Sequence, residues 1–414
     1  MISIVLPVIR PDKAKRCIAA IKKHAGNITY ELVTAVDEDR IGCPKMVKEL
    51  VKETNFDWVM FLGDDTVPEE GFMANAVAKI NDLPDGWGLI GLNDGHWDGS
   101  KIATHWLAHK NMLALTDGDF FHTGYKHQFC DRELTDIARE NDRYVWADDA
   151  KLEHHNGQIK REEEKDEFTQ YVYSSDVTKH DRVLYLERKE ERLGFVLGVG
   201  IPLIDESVET LFTYSMMLQD FPSYGLYYPN SKYHPGDIAK CRNDIARNAL
   251  KDGCTHLIMM DTDQVYHDQD LVRRFIDHRL DIVAGKIHRR WPPYEPILQR
   301  DGKHVPDEEI FAGGLVPVDG IGSGCMMIRT KVFAALDYPW YKVERDKYEE
   351  VTAGEDIYFC RKAKKAGFEI FVDCDVNIGH LTTIEVNTSF YKMLKELAHL
   401  NTTKRGKNNE RESR

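Results

Sequence analysis

The chain has 414 residues, enough for two domains of about 200 residues each. Its 42% apolar and 10% aromatic content excludes bulk disorder, and the net charge of −14 disfavours a broad basic surface for nucleic acid or anionic membrane. The longest apolar stretch, Phe195 to Ile204, has about half the length that a bilayer requires, so we expect no membrane span. The first residues lack a basic region and a cleavage site, which predicts a cytoplasmic protein.

The first half alternates strand and helix patterns. Apolar runs predict strands from Ile2 to Leu6, Tyr30 to Val36 and Trp58 to Leu62. Apolar residues at helical spacing predict helices from Lys13 to Lys23 and from Met46 to Glu53. This order predicts a parallel sheet, and ligands of such sheets bind beyond the carboxyl ends of the strands. Acidic residues follow two of these strands, namely Asp37, Asp39, Asp64 and Asp65.

The second half repeats this plan. Strands are predicted from Phe195 to Ile204, Tyr224 to Tyr228 and Thr255 to Met260, with helices from Glu206 to Leu218 and Asp237 to Leu250. The last strand runs into Asp261-Thr-Asp263, so carboxylates again follow a predicted strand end.

One spacing occurs in both halves. An Asp is followed by a second Asp after 17 residues and by a His after 24 residues. These residues are Asp131, Asp148 and His155 in the first half and Asp356, Asp373 and His380 in the second. The repeat predicts two copies of one domain, each with carboxylates and an imidazole suited to a metal ion.

The repeat and the composition predict the domain boundaries. We expect a first domain at residues 1–160, a charged helical connector at 161–192, a second domain at 193–396 and a polar tail at 397–414. The charge run from Lys160 to Asp166 is typical of a solvated helix face.

The acidic motifs of the second half admit two interpretations. Asp261-Thr-Asp263 could supply the oxygen ligands that Mg²⁺ or Mn²⁺ prefers, or could cap the next helix. Gly354-Glu355-Asp356 opens a predicted helix, where the macrodipole favours ionised carboxylates, and an ionised Asp can act as a general base. Glycines in the segment Gly320–Cys325 either form a tight turn or permit close approach of a ligand.

The motifs together resemble GT-A glycosyltransferases, in particular family 2. The resemblance rests on Ile4-Val-Leu-Pro7, Val36-Asp37 and Gly63-Asp64-Asp65 in the first half, and on Asp261-Thr-Asp263 with Gly354-Glu-Asp356 in the second. It implies an α/β fold of two tandem GT-A domains with Rossmann-like, mostly parallel sheets. It also implies an inverting transfer of a hexose or pentose from a nucleotide sugar, with Mn²⁺ or Mg²⁺ as the metal.

The resemblance assigns roles by position, and nearby charges complete the candidate site. The expected bases are Asp356 and Asp131, and the expected metal ligands are Asp263, His380, Asp65 and His155. The expected donor-binding residues are Pro7, Asp37, Asp39, Asp64, Lys45, Arg242, Asp261 and Glu355. Two positions depart from the family pattern, because Gly63 replaces an Asp and Cys130 replaces a Glu.

Three functional questions stay open at the level of the sequence. Each module could be active, or one could be a binding or scaffold domain without catalysis. Nucleotidyl transfer would require a Gly-rich basic loop after the first strand, which neither half has. The hydroxyl acceptor could be a polysaccharide, a protein, a small molecule or a modified base in DNA, and the acidic balance disfavours the last.

Overall fold

The computed structural model describes residues 1–95, 102–155, 166–203, 208–229 and 237–396. The charged residues at 160–165 and the predicted tail at 397–414 therefore lie outside the described residues. Within the described ranges, no helix is both long enough and apolar enough to cross a bilayer.

One large sheet and four helices form the described part of the first half. The strands are β1 (Ile2–Val8), β2 (Tyr30–Val36), β3 (Trp58–Phe61), β4 (Thr66–Pro68), β5 (Leu89–Asn93), β6 (Trp106–His109) and β7 (Tyr144–His154). The helices are α1 (Pro11–His24), α2 (Cys43–Lys52), α3 (Phe72–Ala78) and α4 (Cys130–Glu140), with short 3-10 turns at Lys79–Asp82, Pro84–Gly86 and Lys110–Ala114.

The strand order of this sheet is β2-β1-β3-β6-β5-β7-β4. Strands β1, β2, β3, β5 and β7 run in one direction, and β6 and β4 run in the other. Strand β1 is buried along nearly its whole length, as expected for a continuous apolar run covered by helices on both faces. The polar residues that follow β1, β2 and β3 consequently meet at one edge of the sheet.

Two helices, α5 (Glu167–Val172) and α6 (Ser175–Leu193), connect the halves. The second half contains helices α7 (Thr210–Met217), α8 (Ile238–Lys251), α9 (Leu271–Asp277), α10 (Asp307–Ala312), α11 (Thr330–Ala335) and α12 (Glu355–Lys365). Its strands are β8 (Leu197–Gly200), β9 (Tyr224–Tyr227), β10 (His256–Met260), β11 (Gln264–Tyr266), β12 (Ile282–Lys286), β13 (Leu298–Arg300), β14 (Lys303–His304), β15 (Leu315–Val318), β16 (Gly320–Ile321), β17 (Cys325–Arg329), β18 (Glu344–Arg345), β19 (Val351–Ala353) and β20 (Ile370–His380).

The large sheet of the second half has the order β9-β8-β10-β17-β12-β20-β11, with β15 added beside β20. Position by position, this is the order of the first sheet, and the parallel and antiparallel pairs also correspond. Strands β13, β14 and β16 form a small separate sheet, and β18 pairs with β19. The predicted α/β class with Rossmann-like, mostly parallel sheets is confirmed, and it is consistent with GT-A-like domains.

The sheet register shows which histidines are equivalent in the two halves. Thr66 lies opposite His154, whereas the corresponding Gln264 lies opposite His380. His154, and not His155, is therefore the counterpart of His380. The equal spacing in the sequence misplaced this position because the link between α4 and β7 is one residue shorter than that between α12 and β20.

Helix α6 packs against α4 of the first half and α11 of the second. Two ion pairs reinforce the second contact, since Lys179 lies 2.6 Å from Asp337 and Arg329 lies 2.7 Å from Glu190. The connector therefore contacts both halves along its length.

Candidate active site

A cavity of about 540 Å³ lies at the carboxyl-terminal edge of β1, β2 and β3 in the first half. Five of the residues predicted to bind the donor or metal or to act as base line it: Pro7, Asp37, Asp64, Asp65 and Asp131. The structure therefore brings together side chains from four separate segments, as expected at the carboxyl ends of parallel strands.

Three residues predicted for this site lie elsewhere. Asp39 and Lys45 are exposed and are not among the residues that line the cavity. His155 follows the last residue of β7 and is not among the residues that line the cavity, and its Nε2 lies 3.2 Å from the carboxylate of Glu153.

Asp37 is held at the cavity wall by the loop that follows it. Its two carboxylate oxygens accept the backbone N–H groups of Ile41 (2.8 Å) and Gly42 (2.9 Å). Gly42 has a φ of +92°, a backbone conformation that residues with a Cβ atom rarely adopt. Each oxygen keeps a second acceptor position that a ligand can use.

The carboxylates after β3 are bound by an arginine from the end of β1. Asp64 is 3% exposed and accepts the backbone N–H groups of Ile9 (2.8 Å) and Arg10 (2.7 Å) and the Nε of Arg10 (2.9 Å). Arg10 Nη2 also lies 3.0 Å from Asp65. Burial opposes ionisation of Asp65, but hydrogen bonding to His154 and the charge of Arg10 hold the pKa of Asp65 well below its usual range.

Asp131 is the second residue of α4, and its carboxyl group faces the cavity. Burial raises the pKa of Asp131 to about 6, although the backbone N–H of Arg132 donates to its Oδ1 (2.8 Å). A carboxyl group with such a pKa is suited to accept a proton near neutral pH.

His105 and His154 line the cavity and form, with Asp94, a cluster that was not predicted from the sequence. Burial acts to lower the pKa of His154, but hydrogen bonding to Asp65 and Asp94 outweighs it and raises this pKa to about 9. Burial, together with the charge of His154, lowers the pKa of His105 to about 3. Asp94 and His105 each adjoin an apolar strand segment, but this local pattern does not indicate that the two residues meet.

Residues of the connector helices α5 and α6 form one wall of the cavity. Phe168, Val172 and Tyr173 of the α5 region and Arg182 of α6 line it. The guanidinium carbon of Arg10 lies 5.5 Å from the centre of the Phe168 ring, within range of a cation–π contact. Residues outside the repeated sheet thus complete the first site.

A buried carboxylate of α6 holds another wall of the cavity. Asp181 is fully buried and accepts the backbone N–H groups of Lys126 (2.8 Å), His127 (2.8 Å) and Gln128 (2.6 Å). This loop leads directly into α4, so Asp181 also fixes the approach to Asp131.

The matching motifs of the second half are held together by Arg242, which is 2% exposed. Its Nη2 donates to Asp261 (2.9 Å), and its Nε lies 3.5 Å from Glu355 and 3.9 Å from Asp356. The structure therefore brings together four of the predicted site residues, but as a network of ion pairs.

The remaining pair of the second half is Asp263 and His380. His380 Nε2 lies 3.3 Å from Asp263 Oδ2, while its Nδ1 donates to the backbone carbonyl of His288 (2.6 Å). Arg290 Nη1 also donates to Asp263 (2.8 Å). An imidazole anchored at Nδ1 presents Nε2 beside a carboxylate, which fits a divalent metal site.

Burial outweighs the helix dipole at Asp356. The helix dipole favours an ionised carboxylate at the start of α12, as expected from the sequence, by up to about 1 kcal/mol at an exposed helix end. Burial, followed by the charge of Glu355, instead raises the pKa of Asp356 well above its usual range despite Arg242. Burial can shift a pKa by about 3–5 units, which exceeds the effect of the dipole.

Gly324 is required by the close packing of this second site. A Cβ atom at Gly324 would overlap the side-chain amide of Gln264 and lie 2.7 Å from Asp261 Oδ2. We expect Gly324→Ala to lower the free energy of unfolding by about 1–3 kcal/mol in urea denaturation. Gly322→Ala is the matched control, because its Cβ would meet Asp356 at an ordinary 3.6 Å. Equal stabilities of the two variants would contradict this packing.

No protein-family model and no curated protein matches the chain. Several solved structures match about half of it. S. aureus TarS 1–349 in complex with UDP-GlcNAc has 14% identity and a TM-score of 0.34, covering 46% of this chain and 66% of that chain. The mannosyltransferase PcManGT from Pyrobaculum calidifontis in complex with GDP-Man and Mn²⁺ has 11% identity and a TM-score of 0.36, covering 46% and 64%. A protein of STIV has 15% identity and a TM-score of 0.31, covering 46% and 96%.

Proposed function

We propose that the protein is a metal-dependent glycosyltransferase that moves a sugar from a nucleotide-sugar donor to a hydroxyl acceptor. The supporting observation is the cavity of about 540 Å³ on which Asp37, Asp64, Asp65 and Asp131 converge. Its volume is in the range of small-molecule sites, and its acidic and basic side chains suit a polar, charged donor.

The proposed chemistry is an inverting transfer with Asp131 as the base. Asp131 takes the proton of the acceptor hydroxyl, and the hydroxyl oxygen forms a bond to the anomeric carbon of the sugar. The bond from that carbon to the diphosphate breaks, and its electron pair leaves with the nucleoside diphosphate. Arg10 and Arg182 line the cavity and supply positive charge, and a bound divalent ion would offset further charge on the diphosphate.

The second half supports a different role, that of a binding or scaffold module. Burial raises the pKa of Asp356 well above its usual range, whereas the pKa of Asp131 at the same position of the first half is about 6. Asp263 and His380 nevertheless retain the geometry of a metal pair, so we propose that Mn²⁺ or Mg²⁺ binds there. The proposed domains are residues 1–160 and 193–396, joined by 161–192.

A donor assay on the full chain tests the proposed function. The protein is incubated with UDP-, GDP- and other nucleotide sugars in the presence of Mn²⁺ or Mg²⁺, and both binding and release of the nucleoside diphosphate are measured. We expect at least one donor to bind and to be hydrolysed slowly, with loss of turnover after addition of a chelator. Absence of binding and turnover with every donor would refute the proposal.

The acceptor requires a separate experiment. Once a donor is known, the protein and donor are incubated with a crude host extract, and the products are compared by mass spectrometry with those formed without the protein. A mass increase of one sugar identifies the acceptor as a polysaccharide, protein, small molecule or nucleic acid.

A further inference from the structure

We infer that Asp94, His105 and His154 form a binding site for a divalent transition-metal ion that the second half does not share. One ligand atom from each residue lies within 4.8 Å of the others. Asp94 Oδ2 lies 3.0 Å from His154 Nδ1 and 3.8 Å from His105 Nδ1. Ligand atoms about 2.1 Å from a common ion lie about 3 to 3.5 Å apart, close to these separations.

The fold explains why these three side chains meet. Asp94 follows β5, His105 precedes β6, and His154 ends β7, which are adjacent strands of the first sheet. Because β6 runs opposite to β5 and β7, its beginning lies at the same edge as their ends. Asp94 is 2% exposed and His105 is 3% exposed, and the two imidazole rings stand perpendicular with their centres 4.8 Å apart.

Neighbouring groups hold the cluster in place. The hydroxyl of Thr104 donates to Asp94 Oδ2 (2.8 Å), and the second nitrogen of His154, Nε2, lies 3.6 Å from Asp65. Asp65 is itself bound by Arg10, so its charge is largely balanced within the protein. Such hydrogen bonds orient ligands and typically contribute 10- to 100-fold to metal affinity.

The second half provides an internal comparison. Gly91 lies opposite Trp106 in the first sheet, and Ala284 lies opposite Met326 in the second. Counting three residues on from Gly91 and Ala284 makes Ile287 the counterpart of Asp94. Counting one residue back from Trp106 and Met326 makes Cys325 the counterpart of His105. Of the three ligands, only His154 has an equivalent residue in the second half, namely His380. The Asp-His-His set is therefore an addition of the first half and not a part of the repeated motif.

The ligand set indicates the class of metal. Two imidazole nitrogens and one carboxylate suit Zn²⁺, Mn²⁺, Co²⁺ or Fe²⁺, whereas Mg²⁺ and Ca²⁺ prefer oxygen ligands alone. The inference depends on ligand geometry and not on catalysis, so a protein without transferase activity would still be expected to bind the ion.

Metal titration of the full chain tests this site without an activity assay. The His380→Gln variant serves as the background, because it removes the histidine of the proposed metal pair in the second half. After treatment with a chelator, Co²⁺ is added and its visible absorption is recorded, followed by calorimetric titrations with Zn²⁺, Mn²⁺ and Mg²⁺. We expect one Co²⁺ with nitrogen ligation, and Zn²⁺ binding at least 10-fold tighter than Mg²⁺.

Two variants locate the ion in the first half. Asp94→Asn and His105→Gln, each in the same background, should weaken Co²⁺ binding at least 10-fold and change its absorption. His109→Gln, at the other end of β6, is the control and should leave both unchanged. Circular dichroism verifies that each variant is folded. Preference for Mg²⁺ in the background protein, or unchanged Co²⁺ binding in either folded variant, would overturn the inference.

Discussion

Replacement of Asp131 by Asn is expected to reduce the turnover of the transferase by about 10²- to 10⁴-fold, the usual contribution of a general base. The amide has nearly the same shape as the carboxylate but cannot accept the proton of the acceptor. The donor should therefore bind with little change in affinity. The measurement is kcat and KM for wild type and variant with the donor that the panel identifies.

The pH dependence of the wild type offers a second readout of the same residue. Since burial raises the pKa of Asp131 to about 6, the base is ionised above this pH and protonated below it. Turnover should consequently fall as the pH decreases through about 6, and the residual activity of Asp131→Asn should lack this decrease.

Asp356→Asn in the second half is the matched control. Its carboxyl group lies at the same helix position, but its neighbours are Glu355 and Arg242. We expect this variant to retain transfer if the first half is the active one. A loss of turnover in Asp356→Asn alone would reverse the assignment, and a loss in both variants would indicate that both halves act.

Asp181→Ala is expected to cause the largest loss of stability, about 3–5 kcal/mol in the free energy of unfolding. The substitution leaves three backbone N–H groups, those of Lys126, His127 and Gln128, without the buried carboxylate that accepts them. Each hydrogen bond to a charged group contributes about 1.5–3 kcal/mol. Urea denaturation followed by circular dichroism measures the effect.

Glu191→Gln on the same helix is the control for this loss. Glu191 is exposed, so its substitution should change the unfolding free energy by less than about 0.5 kcal/mol. If Asp181→Ala unfolds at the same urea concentration as Glu191→Gln, the loop is not held by Asp181.

Local sequence patterns were sufficient to predict the class of the fold. Apolar runs such as Ile2 to Leu6 identified buried strands, and their alternation with helices identified parallel sheets. The convergence of Asp37 and Asp64 followed from the same logic, because both follow parallel strands whose ends meet at one edge.

Residue counting could not align the two halves to single-residue accuracy. Asp148 was paired with Asp373 by spacing, yet Asp148 is exposed whereas Asp373 is fully buried and bound by Arg274. The difference of one residue between the two links changes the face on which every later side chain lies. Only the register of the strands resolves such a shift.

The sequence also could not reveal burial that depends on distant partners. Asp181 lies in a highly charged helix and gave no local sign that it is fully buried. Asp94 and His105 belong to no recognised motif, and their meeting depends on the order of β5 and β6 in the sheet. Tertiary contacts, rather than local pattern, determine these positions.

The contacts of α5 and α6 with the cavity and with both halves have a consequence for the engineering of the protein. Because these helices lie outside the sheet of the first half yet form a wall of its cavity, the segment that carries the complete cavity extends beyond β7. A shortened chain ending at residue 160 would lose the roof formed by Phe168 and Tyr173 and the support given by Asp181. Exchange of the first half for a related module should therefore include residues through Leu193.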